Sequence, residues 1–262
     1  MTTAPTIELA GRELTHLRQD GRHLAAKASL ERRVERERYE RWVKPVLDRA
    51  GAALLLLLAL PVIATVALVV LVRLGRPILF RQSRIGHLGE PIEVLKFRTM
   101  HNSRRQRQRP FTGPDRRRRH KAEDDPRHTP LGRFLRRFSL DELPQLWNVV
   151  RGDLSLVGPR PELAGVVARY DDWQHRRHAV KPGITGLWQV TERDERGEMH
   201  LHVETDLRYI RALSWRADLA ILVLTVPAVL GRRPERAFGL RELERGRGEL
   251  MPADVVPEQL SA

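Results

Sequence analysis

The sequence contains no cysteine among its 262 residues. Disulfide bonds and thiolate metal sites are therefore excluded, and the composition gives no support to the oxidising side of a membrane. Aromatic residues make up only 5% of the chain, which weakens the case for a surface that stacks nucleic-acid bases. No Walker phosphate loop, GxGxxG fingerprint or HExxH motif is present. The sequence therefore does not indicate the nucleotide-binding and zinc-hydrolase classes that these motifs mark.

Basic residues outnumber acidic ones, and the excess is concentrated in one segment. The chain carries 47 Lys and Arg against 33 Asp and Glu, a formal net charge of +14. Residues 104–121 alone hold nine Arg and Lys and one Asp. No apolar periodicity accompanies them, so we predict a basic loop over residues 102–125. Such a charge suits polyanions, which include nucleic acid, anionic lipid headgroups and phosphate-bearing substrates.

Residues 50–72 form a long apolar run of 23 residues without a charge. At about 1.5 Å per residue, a helix of this length could cross a bilayer core roughly 30 Å thick. Pro61 lies in its middle, and basic residues flank it on both sides. Cationic flanks favour the cytoplasmic face of a membrane. The flanks before and after the run can both lie on that face only if the segment bends at Pro61 and returns to the face it entered. We predict a re-entrant hairpin over residues 44–76; a kinked spanning helix is the alternative.

The rest of the chain predicts an α/β fold that is mostly helical. Short apolar stretches near residues 78–80 and 92–95 are typical of two strands separated by a turn. Apolar residues between 143 and 150 recur at the spacing of one helix face, and Gly152 follows where a C-terminal cap belongs. Further elements are predicted, among them a helix within residues 161–178, a strand over residues 184–190 and a helix over residues 206–215.

An Asp-Glu pair, Asp141 and Glu142, precedes the predicted helix. One interpretation is structural: Ser139 caps the helix and Glu142 reaches back, as in a capping box. That interpretation places Pro144 deep in the helix, whereas Asp141 as the cap places it in the first turn, where proline is tolerated. The helix dipole, Arg136 and Arg137 then favour ionised carboxylates. An ionised Asp can act as a nucleophile, and a neighbouring carboxylate can bind Mg²⁺.

Arginines and a lysine stand in two further motifs. Residues 158–161 read GPRP, a turn whose two prolines restrict the backbone around Arg160. A guanidinium fixed in this way matches phosphate oxygens, although an exposed structural turn is the plainer interpretation. Lys96 and Arg98 flank a phenylalanine in KFRTM, residues 96–100. The alternative for these two cations is the solvated end of a strand.

The order of these motifs is specific. A kinked apolar segment is followed by KFRTM, then by DPRHTPLGRFLRRFSLDELPQLWNVVRGDLSLVGPRP (125–161), then by PGITGLWQV (182–190). Over about residues 44–230 the chain resembles the bacterial sugar transferases, the monotopic polyprenyl-phosphate phosphoglycosyl transferases. It is similar to their small form, without a multi-span N-terminal domain.

The resemblance implies a reaction in two steps. Asp141 attacks the β-phosphorus of a UDP-sugar and UMP leaves, and undecaprenyl phosphate then takes the sugar phosphate from the aspartate. Glu142, with Asp141, would bind Mg²⁺ or assist proton transfer. The cations that would hold phosphates are Lys96, Arg98, Arg136 and Arg160. Arg193 keeps a cation after the last motif, but its neighbours differ from those of the family.

The resemblance also implies an arrangement in the cell. A charged extension (1–43), the re-entrant hairpin (44–76), a catalytic domain (77–230) and a charged tail (231–262) would follow one another. The catalytic domain would lie on the cytoplasmic face of the bacterial inner membrane, in contact with the lipid bilayer. The rival hypothesis is a membrane-tethered protein that binds nucleic acid through the basic loop. We expect no nucleic-acid partner, and a homo-oligomer is left open.

Overall fold

The computed structural model describes residues 35–100, 129–191 and 203–230. Four predicted features lie largely or wholly outside these residues: the charged extension, the basic loop, Arg193 and the charged tail. Within the described ranges the fold is mostly helical with two small sheets, as the sequence predicts.

One long helix opens the described part of the chain. A π-helical turn, Tyr39–Val43, leads into helix α1, Lys44–Leu74. By length and composition, Glu35–Leu74 is the one described stretch able to cross a membrane, and only 11% of its most apolar window is buried. The helix is continuous through Pro61, so the predicted break there is not seen. Thr65 donates a hydrogen bond to the carbonyl of Pro61 (2.8 Å), a bond that threonine forms within a helix.

A β-hairpin follows α1. Strands β1, Leu79–Ile85, and β2, Pro91–Phe97, pair antiparallel with Leu79 opposite Phe97 and Ile85 opposite Pro91. A short 3₁₀ turn, His87–Gly89, joins them. The two strands that the sequence predicts here are therefore confirmed.

Two short helices carry the chain past the Asp-Glu pair. Helix α2, Pro130–Arg137, is capped by Thr129, whose hydroxyl accepts a hydrogen bond from the Gly132 backbone N–H (2.8 Å). Helix α3, Gln145–Arg151, ends at Gly152, whose φ of 89° confirms the predicted C-terminal cap. The cap predicted at Asp141 is wrong, and Ser139 is the N-cap of the 3₁₀ turn before α3 instead of the N-cap of α3 itself. The residue at the N-cap of α3 is Pro144, because the Asp-Glu pair occupies a separate 3₁₀ turn, Leu140–Glu142.

The remaining elements form a second, parallel sheet with helices around it. They are β3 (Ser155–Val157), α4 (Ala164–Val167), a 3₁₀ segment (Gln174–Ala179), β4 (Gly183–Thr185), α5 (Leu187–Thr191), α6 (Val203–Arg211) and α7 (Trp215–Val229). Strands β3 and β4 pair parallel. The single helix predicted within residues 161–178 is wrong, because only α4 and the 3₁₀ segment are helical there. The strand predicted over residues 184–190 is also wrong beyond Thr185, where the chain turns into α5.

Both ends of α1 are fastened to the rest of the fold. Near its start, the Asp48 carboxylate accepts hydrogen bonds from the Ser155 hydroxyl (2.6 Å) and the Leu156 backbone N–H (3.2 Å) of β3. Towards its end, Val66 and Val70 pack in one core cluster with Phe97 of β2 and Leu135 of α2. Arg98 then donates to three successive carbonyls, those of Leu74, Gly75 and Arg76. The residues between these two attachments are largely exposed.

Candidate active site

The acidic pair, Asp141 and Glu142, lies in the 3₁₀ turn between α2 and α3. Ser139 enters this turn with a φ of 54°, in the left-handed region that a residue other than glycine seldom adopts. The left-handed residue turns the chain sharply between α2 and α3, and both acidic residues lie in this turn. Asp141 is buried, with 7% of its surface exposed.

Glu142 lies between two cations that come from distant parts of the chain. Its Oε1 accepts hydrogen bonds from Lys96 Nζ of β2 (2.8 Å) and from Arg160 Nη2 of the GPRP turn (3.0 Å). All three side chains are at least 84% buried. Burial raises the pKa of Glu142, but attraction to Lys96 and Arg160 outweighs it and holds the pKa well below its usual range. The structure therefore brings together three residues that the sequence singles out separately.

Asp141 has a different environment from its neighbour. Within the described part of the chain, its carboxylate forms no hydrogen bond or ion pair. Burial and the nearby negative charge of Glu142 raise the pKa of Asp141, against the opposing attraction of Lys96, Arg136 and Arg160. This direction is opposite to the sequence prediction, which assumed that a helix terminus favours the ionised form. Glu142 is thus a bound anion, and Asp141 is a carboxylate whose oxygens are not held by hydrogen bonds to described residues.

The GPRP turn (residues 158–161) is held rigidly against β4. The backbone N–H of Gly158 donates to the carbonyl of Thr185, and that of Gly183 donates to the carbonyl of Pro159, both at 2.9 Å. A Cβ on Gly183 would lie 2.1 Å from the backbone nitrogen of Gly158, so only glycine allows this approach. The turn therefore aims the Arg160 side chain from a fixed backbone.

Two arginines that the sequence analysis missed also contact this region. Arg84 donates to the carbonyl of Pro161 (3.2 Å), and Arg177 donates to the carbonyl of Arg160 (2.8 Å). Burial, followed by repulsion from Arg160, lowers the pKa of Arg84 to about 10. No local motif marks either residue, since each meets the turn through the tertiary fold. The spacing of lysines and arginines in the sequence therefore does not identify Arg84 or Arg177 as part of the site.

The other predicted cations have separate surroundings. Arg136 Nε donates to the Thr99 hydroxyl (3.0 Å) and is close enough to Asp141 to lower its pKa. Arg98 is 8% exposed, and its bonds to the carbonyls at the end of α1 engage both terminal nitrogens. Its predicted contact with phosphate stays a prediction. Arg193 lies outside the described residues.

An apolar groove is lined in part by residues that follow the acidic pair in the sequence. Its volume is about 900 Å³. Its walls come from α1, the start of β1, the end of β2 and the first turn of α3, and they include Leu56, Ile63, Ile78, Phe97, Pro144 and Trp147. Pro144 and Trp147 follow Glu142 by two and five residues in the sequence. The apolar groove and the acidic pair are therefore linked through the first turn of α3.

The acidic pair suits Mg²⁺ but is no dense metal cluster. No group of three or more His, Cys, Asp and Glu side chains that could hold a metal is found within residues 35–100, 129–191 and 203–230. Mg²⁺ needs only one or two carboxylates when substrate phosphates and water complete its coordination. Both cations bind Glu142 through Oε1, and in the described structure its Oε2 accepts no hydrogen bond. Asp141 and Glu142 Oε2 together fit such an ion.

Comparison with known proteins assigns the chain to a family. The model of the bacterial sugar transferase family matches residues 39–232. The UDP-glucose:undecaprenyl-phosphate glucose-1-phosphate transferase of Escherichia coli (strain K12) is 42% identical over 193 residues, covering 71% of this chain and 40% of that protein. The galactosyl transferase CpsE of Streptococcus agalactiae is 39% identical over 194 residues, covering 71% of this chain and 42% of that protein.

A shorter relative shows the same similarity. The protein of Caulobacter vibrioides with the same name as the Escherichia coli transferase is 40% identical over 200 residues, which cover 71% of this chain and 69% of that protein. The chain therefore spans about two fifths of the first two relatives and a larger share of the third. By the family match and these identities, the chain belongs to the bacterial sugar transferase family.

Proposed function

We propose that this protein transfers a sugar-1-phosphate from a UDP-sugar to undecaprenyl phosphate, in the synthesis of an exopolysaccharide or another bacterial glycan. The observation that carries the proposal is the asymmetry of the acidic pair. Glu142 is neutralised by two buried cations, whereas no described residue forms a hydrogen bond to Asp141. The names of two relatives, each a UDP-glucose:undecaprenyl-phosphate glucose-1-phosphate transferase, support this donor and acceptor.

In the first step, an Asp141 carboxylate oxygen attacks the β-phosphorus of the UDP-sugar. A bond forms between that oxygen and phosphorus, and the bond from phosphorus to the UMP oxygen breaks. UMP leaves with the electron pair, and a phosphosugar-aspartate remains. Lys96 and Arg160 offset the charge of Glu142, so the negative diphosphate approaches a site that is not negative overall. Arg136 adds one more positive charge near Asp141.

In the second step, a phosphate oxygen of the lipid acceptor attacks the same phosphorus. The bond between Asp141 and phosphorus breaks, which regenerates the carboxylate and releases the lipid-diphosphate-sugar. Two displacements at one phosphorus restore the enzyme without any other group. Mg²⁺, bound by Asp141 and Glu142, would neutralise phosphate charge during both displacements.

The apolar groove supplies a place for the acceptor. We assign it to the polyprenyl chain, because it is lined by α1 and by residues that directly follow the acidic pair. An isoprenoid bound there leaves its phosphate near Asp141 while its distal units remain among lipid tails. The exposed indole of Trp147, with 49% of its surface accessible, forms one wall of this path.

We also propose that both ends of α1 lie on the cytoplasmic face of the inner membrane. The attachments at Asp48 and at Leu74 join one folded domain, and a helix that crossed the bilayer would carry one of them to the opposite side. Because α1 is continuous through Pro61, it would return to the same face by bending at the proline without unwinding. Single cysteines at Leu47 and Arg73, introduced into a chain that has none, provide the test. An impermeant maleimide should label both in inverted vesicles and neither in spheroplasts. Labelling of one position from each side would refute this topology.

The catalytic proposal is tested by UMP release from the purified protein with Mg²⁺ and a panel of UDP-sugars. Without acceptor, we expect a burst of UMP of at most one equivalent and an aspartyl adduct on Asp141 detectable by mass spectrometry. Asp141→Asn should abolish both, whereas Asp153→Asn, at a carboxylate bound to Arg151 (2.7 Å), should retain both. UMP release that requires acceptor, with no adduct, would refute the covalent step.

A further inference from the structure

Arg177 is a buried arginine that joins three elements behind the GPRP turn. It lies in the 3₁₀ segment Gln174–Ala179 and is 3% exposed. Its Nη2 donates to the backbone carbonyl of Arg160 (2.8 Å) and to Asp206 Oδ2 of α6 (2.5 Å). Its Nη1 donates to the hydroxyl of Tyr170 (2.5 Å). One planar group therefore ties the backbone of Arg160 to α6.

The charges around Arg177 are nearly balanced. Glu162 lies 3.7 Å from Arg177 and 3.9 Å from Arg84. Burial lowers the pKa of Arg177, but Asp206, Tyr170 and Glu162 outweigh it and raise the pKa above the usual range. Arg177 is thus a permanent cation, and both of its terminal nitrogens are engaged in hydrogen bonds. A lysine cannot reproduce these contacts, because one ammonium lacks the planar fork that reaches several acceptors at once.

We propose that Arg177, anchored by Asp206, is a positioning residue that sets the direction in which Arg160 reaches Glu142. Arg177 binds the main-chain carbonyl of Arg160, and the side chain of Arg160 donates to the Glu142 carboxylate. Gly158 and Pro159 fix the turn on its other side through β4. The backbone around Arg160 is therefore held on one side by Arg177 and on the other by β4, and the Arg160 side chain extends towards the acidic pair.

The first experiment measures the Arg160–Glu142 interaction without any activity assay. Thermal unfolding midpoints are measured for wild type, Arg160→Gln, Glu142→Gln and the double variant, and again in an Arg177→Lys background. In wild type the cycle should show a coupling of roughly 4–8 °C, as expected for a buried charge pair. In the Arg177→Lys background the coupling should fall to less than about a third of that value. An unchanged coupling would overturn the proposal, however much Arg177→Lys lowers the midpoint itself.

The second experiment rests on the proposed function and measures UMP release. Arg177→Lys should lower kcat/KM for the UDP-sugar by about 10- to 100-fold, since small displacements of a positioned group are costly. In an Arg160→Gln background, the same change should cost less than about twofold, because the group it positions is already absent. Equal losses in both backgrounds would overturn the positioning role.

A control separates positioning from general loss of a hydrogen bond elsewhere in the fold. Ser214→Ala removes the part-buried hydrogen bond that the Ala217 backbone N–H donates to the Ser214 hydroxyl (3.2 Å), at the start of α7, and leaves the contacts of the GPRP turn in place. Its effects on kcat/KM should be equal in the wild-type and Arg160→Gln backgrounds.

If the thermal coupling is lost in Arg177→Lys but wild type releases no UMP from any UDP-sugar, the proposed function fails and the positioning inference stands. If wild type is active and Arg177→Lys leaves kcat/KM unchanged, the positioning inference fails and the function stands.

Discussion

Replacing Lys96 with methionine should have opposite effects on stability in two backgrounds. In the wild-type protein, Lys96→Met removes one of the two hydrogen bonds to Glu142 Oε1 and leaves the one from Arg160. In Glu142→Gln, Lys96 and Arg160 are two buried cations that have lost the carboxylate between them. Lys96→Met then relieves their repulsion and replaces an unpaired ammonium with an apolar group of similar length. The same substitution should therefore destabilise the wild type and stabilise the variant.

The magnitudes follow from burial, since Lys96, Glu142 and Arg160 expose only 15–16% of their side chains. Removing one partner of a buried pair costs about 2–5 kcal/mol. For Lys96→Met alone we expect about 2 kcal/mol, because Arg160 still binds Glu142, or roughly 4–8 °C in the unfolding midpoint. For Glu142→Gln we expect about 3–5 kcal/mol, or roughly 6–20 °C. The double variant should lie between the two single variants.

Thermal unfolding of the four proteins, in one detergent and at one pH, measures this cycle. The ion pair between Arg81 and Glu93 is the control: its length is 3.0 Å, but its side chains are 67% and 45% exposed. The corresponding cycle, Arg81→Met with Glu93→Gln, should show less than about 1 kcal/mol of coupling. If Lys96→Met lowers the midpoint equally with and without Glu142→Gln, the three groups do not form one charge-balanced site and the reasoning is refuted.

Three further expectations concern the neighbours of this site. Arg136 lowers the pKa of Asp141, so Arg136→Gln should raise that pKa. In the proposed mechanism Asp141 attacks only when ionised, so the acid limb of UMP release should move to higher pH. Arg98→Lys should lower the unfolding midpoint by about 2–4 °C and leave KM for the UDP-sugar unchanged. A raised KM without a shift in midpoint would instead indicate that Arg98 binds phosphate. Trp147→Ala should raise KM for the polyprenyl acceptor by about tenfold, as for one lost apolar contact, without changing KM for the UDP-sugar.

Local patterns were sufficient for several parts of the fold. The β-hairpin follows from two apolar stretches around a turn rich in glycine, and Gly152 ends α3 because its left-handed φ of 89° suits glycine. The GPRP turn was recognisable because its prolines restrict the chain whatever surrounds it. Lys96, Glu142 and Arg160 could each be selected from a motif. Each of these signals lies within a few neighbouring residues.

Other features depend on contacts between residues far apart in the sequence. Lys96 and Glu142 are 46 positions apart, and Arg177 and Asp206 are 29 apart. The raised pKa of Asp141 results from burial, which no local pattern reports. Trp147 belongs to the apolar repeat that predicted the buried face of α3, yet it is 49% exposed and lines the groove. Apolar periodicity does not distinguish a side chain that faces the core from one that lines an open groove.

The two attachments of α1 give this long apolar helix a role in placing the acidic pair. At its start, Asp48 binds β3, the strand that leads directly into the GPRP turn and Arg160. At its end, Leu74 binds Arg98, two residues beyond Lys96. The two cations that hold Glu142 thus belong to the two segments fastened to opposite ends of the same helix. A helix that merely tethered the domain would need one attachment. If α1 lies in the bilayer as proposed, two attachments would fix the height of the acidic pair relative to the lipid phosphate, as the proposed transfer from a soluble nucleotide-sugar requires.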